Sequence, residues 1–177
     1  MVRHCFPLTG DPHNPYCRGV EGLLENYITT LNTVTMAEPT VYREVLEYAA
    51  NDSMRAGSDS EYTVVLLITD GGVTNLEQTK QVLVQLSRLA ISVVLVGVGR
   101  GDMSHLKQLD SDKARLSAGD KQAVRDIVQF VGNVYSLFSL QFGEVISLTF
   151  KVIIISVFTD CLISDASQIS IINIIKK

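Results

Sequence analysis

Asp70 is the residue best placed to do chemistry. It closes the stretch YTVVLLITDGG, Tyr62 to Gly72, in which an apolar, mostly β-branched run stops abruptly at Thr-Asp-Gly-Gly. A carboxylate on a glycine turn at the exit of a buried strand stands where open α/β sheets hold ligands. One role for it is a metal site at the top of the sheet; the plainer role is to organise the turn into the next helix.

Other constellations are weaker. VGVGRGD places Gly97, Gly99 and Gly101 after a strand and before a helix. The spacing is G-x-G-x-G, not the dinucleotide pattern G-x-G-x-x-G, and no acidic residue follows on a second βαβ unit. Glycine at the exit of a parallel strand is the commoner reading. Arg100, Gly101 and Asp102 spell an integrin-recognition tripeptide, a match that three residues produce readily by chance. His4, Cys5, His13 and Cys17 form no tight zinc-binding pair and are expected to be ordinary loop residues. No Ser/His/Asp or Cys/His arrangement stands out, so no catalytic nucleophile is expected.

Asp70 has to be positioned by an α/β framework. CFPLTGDPHNPYC, residues 5–17, is crowded with turn-forming residues and reads as a loop. Val20, Leu23, Leu24, Tyr27, Ile28, Leu31 and Val34 recur at helical spacing and predict one inward face. After a break at EPT, Thr40 can cap a second helix with Tyr42, Val45, Leu46 and Ala49 inward. Glu21, Glu25, Glu44 and Glu47 fall on the polar sides of these helices. Tyr62–Thr69 predicts a strand covered on both faces, since its apolar run does not alternate. A helix over 76–90 follows, with Leu76, Val82, Leu83, Leu86 and Leu89 inward. ISVVLVGVG is a second strand, a short helix covers about 102–109, and RDIVQFV is a third strand. Strand–helix–strand connections of this length imply parallel pairing and right-handed crossovers. The fold class is therefore α/β with a doubly wound layout.

The chain has 177 residues, 46% hydrophobic and 19% charged, with a net charge of −4. This suits one domain with a sizeable core. An acidic chain without Trp has neither the basic face nor the stacking platform of a nucleic-acid binder. Cys5, Cys17 and Cys161 are odd in number and scattered, which suits a reducing compartment. The N-terminal MVRHCFPLTG has no apolar core of signal-peptide length, so secretion is not expected.

Four blocks in order, FPLTGDPHNPYCRGVEGLLENY, LLITDGGVTNLEQTK, SVVLVGVG and RDIVQFV, resemble the copines, from Phe6 to Val131. Copines carry two C2 domains followed by a von Willebrand factor A-type domain, a Rossmann-like doubly wound sheet. The resemblance covers only the later part of that A domain. The C2 domains, the first strand of the A domain and its Asp-x-Ser/Thr-x-Ser loop have no counterpart here, as a truncated or aberrantly spliced product would show. The expectation is a partial A domain over residues 1–131 and a divergent apolar tail over 132–177, unstructured or strand-forming.

The resemblance implies a metal-ion-dependent adhesion site with oxygen ligands suited to Mg²⁺ or Mn²⁺. Thr40 in EPTVY matches its threonine and Asp70 in ITDGG its aspartate. With the principal loop missing, the ligand set is an incomplete remnant, and no cofactor is certain. The resemblance further implies a non-enzymatic binding module, cytoplasmic and peripherally associated with the plasma membrane, that recruits protein partners. Calcium-dependent phospholipid binding belongs to the C2 domains and is not expected of this chain. The copine-type domain of a RING ubiquitin ligase is the enzymatic alternative, but three scattered cysteines cannot supply the zinc pairs of a RING.

The tail supports a third reading, a small membrane-anchored protein. Val145–Thr159 is strongly apolar, yet Lys151 interrupts it and it falls short of a spanning length. Its β-branched composition favours strands and self-association. With the first strand missing, Val64–Ile68 is expected to be either an exposed edge or covered by the tail.

Overall fold

The computed structural model describes residues 5–34, 41–56, 62–99, 101–110, 114–132, 150–158 and 169–175. In chain order the elements are β1 (Tyr16–Cys17), α1 (Gly19–Leu31), α2 (Tyr42–Ala56), β2 (Tyr62–Thr69), α3 (Leu76–Leu86) and β3 (Ile91–Gly97). They continue with α4 (Ser104–Leu109), β4 (Ser117–Ala118), β5 (Lys121–Gln122), β6 (Val128–Val131), β7 (Phe150–Phe158) and β8 (Ile169–Ile175). The main sheet has the order β1-β8-β7-β2-β3-β6.

β2, β3 and β6 form its parallel centre. β2 pairs with β3 from Thr63↔Ile91 to Thr69↔Gly97, and β3 pairs with β6 from Val93↔Val128 to Val96↔Val131. Two crossovers through α3 and α4 give the expected α/β class, a von Willebrand A-like, Rossmann-type arrangement.

The core forms where one face of this sheet meets the helices. Val65 and Leu67 of β2 and Ile91, Val93 and Leu95 of β3 are buried with Tyr42, Val45, Leu46 and Ala49 of α2. Val82, Leu83 and Leu86 of α3 and Leu106 and Leu109 of α4 complete the cluster. The inward faces predicted for α2 and α3 are thus the packed ones. The strands differ from expectation in one respect. Burial alternates along both, so Val64, Leu66 and Ile68 are only half-buried. An unbroken apolar run reports that polar residues are absent, not that both faces are equally covered.

α1 splits its apolar face in two. Leu23, Tyr27, Leu31 and the following Val34 pack with Phe6 around Leu8 in a satellite cluster. Val20, Leu24 and Ile28 stay 63%, 54% and 60% exposed. Thr30 joins the two segments, its hydroxyl donating to the Leu8 carbonyl at 3.2 Å.

RDIVQFV becomes a strand only from Val128. Arg125 is drawn away to hydrogen bonds elsewhere, and the Asp126 carboxylate accepts the Val128 N–H at 3.2 Å. β6 is the outer strand of the sheet, and Asp110 Oδ2 accepts the Phe130 N–H at 2.8 Å there. A side chain thus occupies a ladder position that an edge would otherwise offer to another chain.

β7 lies against β2. The two run parallel from Tyr62↔Phe150 to Thr69↔Val157, so Val64–Ile68 is covered by the tail rather than left as an edge. β8 returns antiparallel to β7 and meets β1 through Tyr16↔Ile174 and Cys17↔Ile175.

Candidate functional site at the ends of the parallel strands

The C-terminal ends of β2 and β3 meet in a knot of backbone. Val98 N–H donates to the Thr69 carbonyl at 2.7 Å, extending the ladder into the loop that follows β3. There the two strand-exit turns interlock. A Cβ on Gly71 would fall 2.7 Å from the Asp102 carbonyl oxygen, and one on Gly101 only 1.9 Å from that of Asp70. Gly71 also has φ +126°, outside the range comfortable for other residues. Two glycines therefore let two turns approach more closely than side chains would allow.

Asp70 is held inside this contact, 5% exposed. Beside it, Thr69 Oγ1 lies 2.6 Å from the Tyr42 hydroxyl and accepts the Gly71 N–H at 3.3 Å. Tyr42 and Thr69 are both fully buried, so this pair ties the first turn of α2 to the turn carrying Asp70. Burial pushes the Tyr42 hydroxyl far above its ordinary range; the Thr69 hydrogen bond lowers it and the Asp70 charge raises it further. Tyr42 therefore stays protonated and acts as a strut.

Tyr42→Phe is expected to cost about 1 kcal/mol, the usual net worth of such a bond. It also alters the pH dependence. The folded state holds the Tyr42 proton to higher pH than the unfolded chain, whose tyrosine titrates near 10. The stabilisation is complete below that pH and is lost as pH rises above it. Urea unfolding at pH 8 and pH 11 should show a shallower alkaline loss for Tyr42→Phe than for the wild type; equal losses would contradict the assignment.

Asp102 heads the next turn. Its two carboxylate oxygens accept the N–H and the hydroxyl of Ser104, each at 2.9 Å. Those two bonds hold its carboxyl below the usual range, helped by His105 and Lys107 nearby. On the approach to α3, Asn75 takes the left-handed conformation at φ 60°, which asparagine tolerates better than most residues.

The sequence-predicted site residues fare differently. Asp70 stands at the end of β2, where a sheet-top ligand group belongs. Thr40 lies outside the described residues, as do His4 and Arg100. Gly97 and Gly101 serve close packing, a Cβ on Gly97 meeting Met103 Sδ at 3.0 Å, whereas Gly99 has room for a Cβ, 3.7 Å from that of Asp70, and is favoured there by its φ of +89°. Cys5 is partly buried with its thiol pushed up to about 11, by burial first and the Glu44 charge second. Cys17 is buried, and its sulfur accepts Asn26 Nδ2 at 3.3 Å. His13 is exposed in its loop.

Among the described residues, no three His, Cys, Asp or Glu side chains come together. The Thr69 hydroxyl is committed to Tyr42 and Gly71, and both Asp102 oxygens to Ser104. A resident Mg²⁺ or Mn²⁺ needs near-octahedral oxygen coordination; of the expected ligand pair, Asp70 is among the described residues and Thr40 is not.

Sequence reasoning missed two polar devices. One is the Tyr42–Thr69 strut: helical spacing puts Tyr42 on an inward face, and nothing local pairs it with residue 69. The other is Arg125, which donates to the carbonyls of Leu89 and Ile91 and to the Tyr62 hydroxyl, with its guanidinium 5.8 Å from the Tyr62 ring centre. Tyr62 is in turn 2.6 Å from Ser92 Oγ. A lone arginine opening a strand-like run was the available signal.

The parallel β2-β3-β6 centre with its helices has a von Willebrand A-like, Rossmann-type fold. A family model, Copine, matches residues 1–167, and the chain belongs to the copine family. It is 36% identical to Copine-A of Dictyostelium discoideum over 132 residues, 73% of this chain and 22% of that protein. It is 40% identical to Protein BONZAI 1 of Arabidopsis thaliana over 149 residues, 81% of this chain and 25% of that protein. The chain thus spans about a quarter or less of these relatives' length. The family match runs past Val131, where the quoted sequence blocks end, into the tail.

Proposed function

We propose that this chain is a non-enzymatic binding module of the copine A-domain type, which recruits a protein partner through the strand-exit surface around Asp70 and Asp102. The interlocked turns carry the reading: they hold a buried carboxylate and an exposed one on a rigid backbone, while the neighbouring hydroxyls are engaged in structural hydrogen bonds. Such a surface is preorganised for recognition and offers little for proton transfer. A cytoplasmic location with peripheral plasma-membrane association is part of the proposal and follows from family membership. Calcium-dependent phospholipid binding is assigned to the C2 domains of the family and not to this chain.

Sedimentation with phosphatidylserine-containing vesicles tests this. The chain should remain in the supernatant to the same extent with calcium and with chelator. Calcium-dependent pelleting of the chain alone would overturn the proposal. The membrane-anchored reading gains nothing from the helices, since none among the described residues is long and apolar enough to cross a bilayer. Carbonate extraction separates the two readings: an anchored protein stays in the membrane pellet.

A further inference from the structure

On the side away from β3, β2 pairs with β7, a strand from late in the chain. We propose that the β7–β8 hairpin exchanges between two copies of this protein: the flank of β2 is a docking site for a parallel strand, filled either by the chain's own β7 or by β7 of a second copy.

The ladders support exchange of the hairpin as a unit. β7 and β8 are zipped to each other from Val152↔Ile175 to Phe158↔Ile169. The hairpin joins the rest of the sheet through one long ladder to β2 and one two-residue ladder to β1. An identical hairpin from another copy would satisfy the same register, residue for residue. Exchange therefore preserves each backbone bond of both ladders, and the swapped dimer differs from the monomer mainly in the connection and the cost of association. Concentration then sets the balance between them.

Topology makes the choice real. β6 ends at Val131 at one edge of the sheet, and β7 begins at Phe150 beyond β3 and β2. From β6 to β7 is three strand spacings across the sheet, roughly 15 Å, to be joined by residues 132–149. That length of chain reaches about 60 Å when extended, enough for a neighbouring sheet as well as its own. During folding β2 and β3 pair over a short separation, whereas β2 waits for a partner nearly ninety positions away (Tyr62↔Phe150). Until that partner arrives the flank of β2 is an open apolar edge, which a second copy can fill first.

The test uses the full chain and the register partners Val64 and Val152. Two single variants, Val64→Cys and Val152→Cys, are unfolded, mixed, refolded together and treated with a short bismaleimide. Mass spectrometry identifies the 64–152 linkage against the native cysteines. The expected result is a cross-linked dimer bearing that linkage, its share rising in proportion to refolding concentration. The double variant in one chain should link within itself when refolded dilute. If the double variant links internally and the mixture gives no 64–152 dimer at any concentration, the exchange proposal fails. If neither preparation forms the linkage, the β2–β7 register itself fails, and the proposal with it. Light scattering on wild-type chain refolded at low and high concentration supplies a readout free of substitutions: a purely monomeric product at both would likewise overturn it.

Discussion

Gly71→Ala should destabilise the fold by about 2–4 kcal/mol, combining backbone strain with a backbone clash. At φ +126° the new Cβ strains the residue itself, and it also meets the Asp102 carbonyl at 2.7 Å, a partner that cannot rotate aside. Gly101→Ala isolates the second contribution. Its Cβ would come to 1.9 Å from the Asp70 carbonyl oxygen, so the loop after β3 must lift off the turn after β2. A cost of about 2–3 kcal/mol is expected from that overpacking. Gly99→Ala isolates the first: φ is +89° but the nearest atom is 3.7 Å away, so roughly 1 kcal/mol of strain is expected. Urea unfolding of the three variants checks the order, read as shifts of the midpoint at constant slope. If Gly101→Ala is as mild as Gly99→Ala, the two turns do not interlock and the candidate site loses its rigidity. Both Gly71→Ala and Gly101→Ala should also displace Asp70, because each acts on its turn.

Arg125→Ala carries the other large effect, an expected loss of about 2–3 kcal/mol, typical of hydrogen bonds made by a charged group. The guanidinium joins two segments distant from it in sequence: the Leu89 and Ile91 carbonyls, where α3 hands over to β3, and the Tyr62 hydroxyl at the start of β2. Its position by the Tyr62 ring adds a cation–π contribution of about 0.5–1 kcal/mol. Truncation leaves the carbonyls short of a donor at a partly buried junction. Arg125→Lys should recover less than half of the loss, since one ammonium cannot reproduce the planar fork. Tyr62→Phe removes the hydroxyl that links Arg125 to Ser92 and should cost about 1 kcal/mol. Chemical denaturation of the three variants measures the ladder. A lysine variant equal to wild type would show that the charge matters and the geometry does not.

The parallel centre of the fold was readable from residues alone for a local reason. β2 and β3 are apolar runs with abrupt ends at Thr-Asp-Gly-Gly and Gly-Val-Gly, and strand identity depends on the residues of the strand itself. The inward faces of α2 and α3 followed from helical spacing, and Asp70 from its place after a strand. In the same way, four short blocks in order were enough to point to the copine family.

What periodicity cannot choose is the neighbour. The α1 pattern defined an apolar arc, but only the docked loop around Leu8 decided that Leu23 and Tyr27 pack while Val20, Leu24 and Ile28 face outward. Residue types likewise left the hydroxyl of Tyr42 without a partner until α2 was laid beside Thr69, twenty-seven positions on. Arg125 looked like the start of a strand until the α3–β3 junction offered it two carbonyls. The order β8-β7-β2 was set by which edge of the sheet lay open to a β-prone tail. Local propensity belongs to the residues of a segment, whereas strand order, buried faces and long-range hydrogen bonds depend on distant atoms brought together when the chain folds.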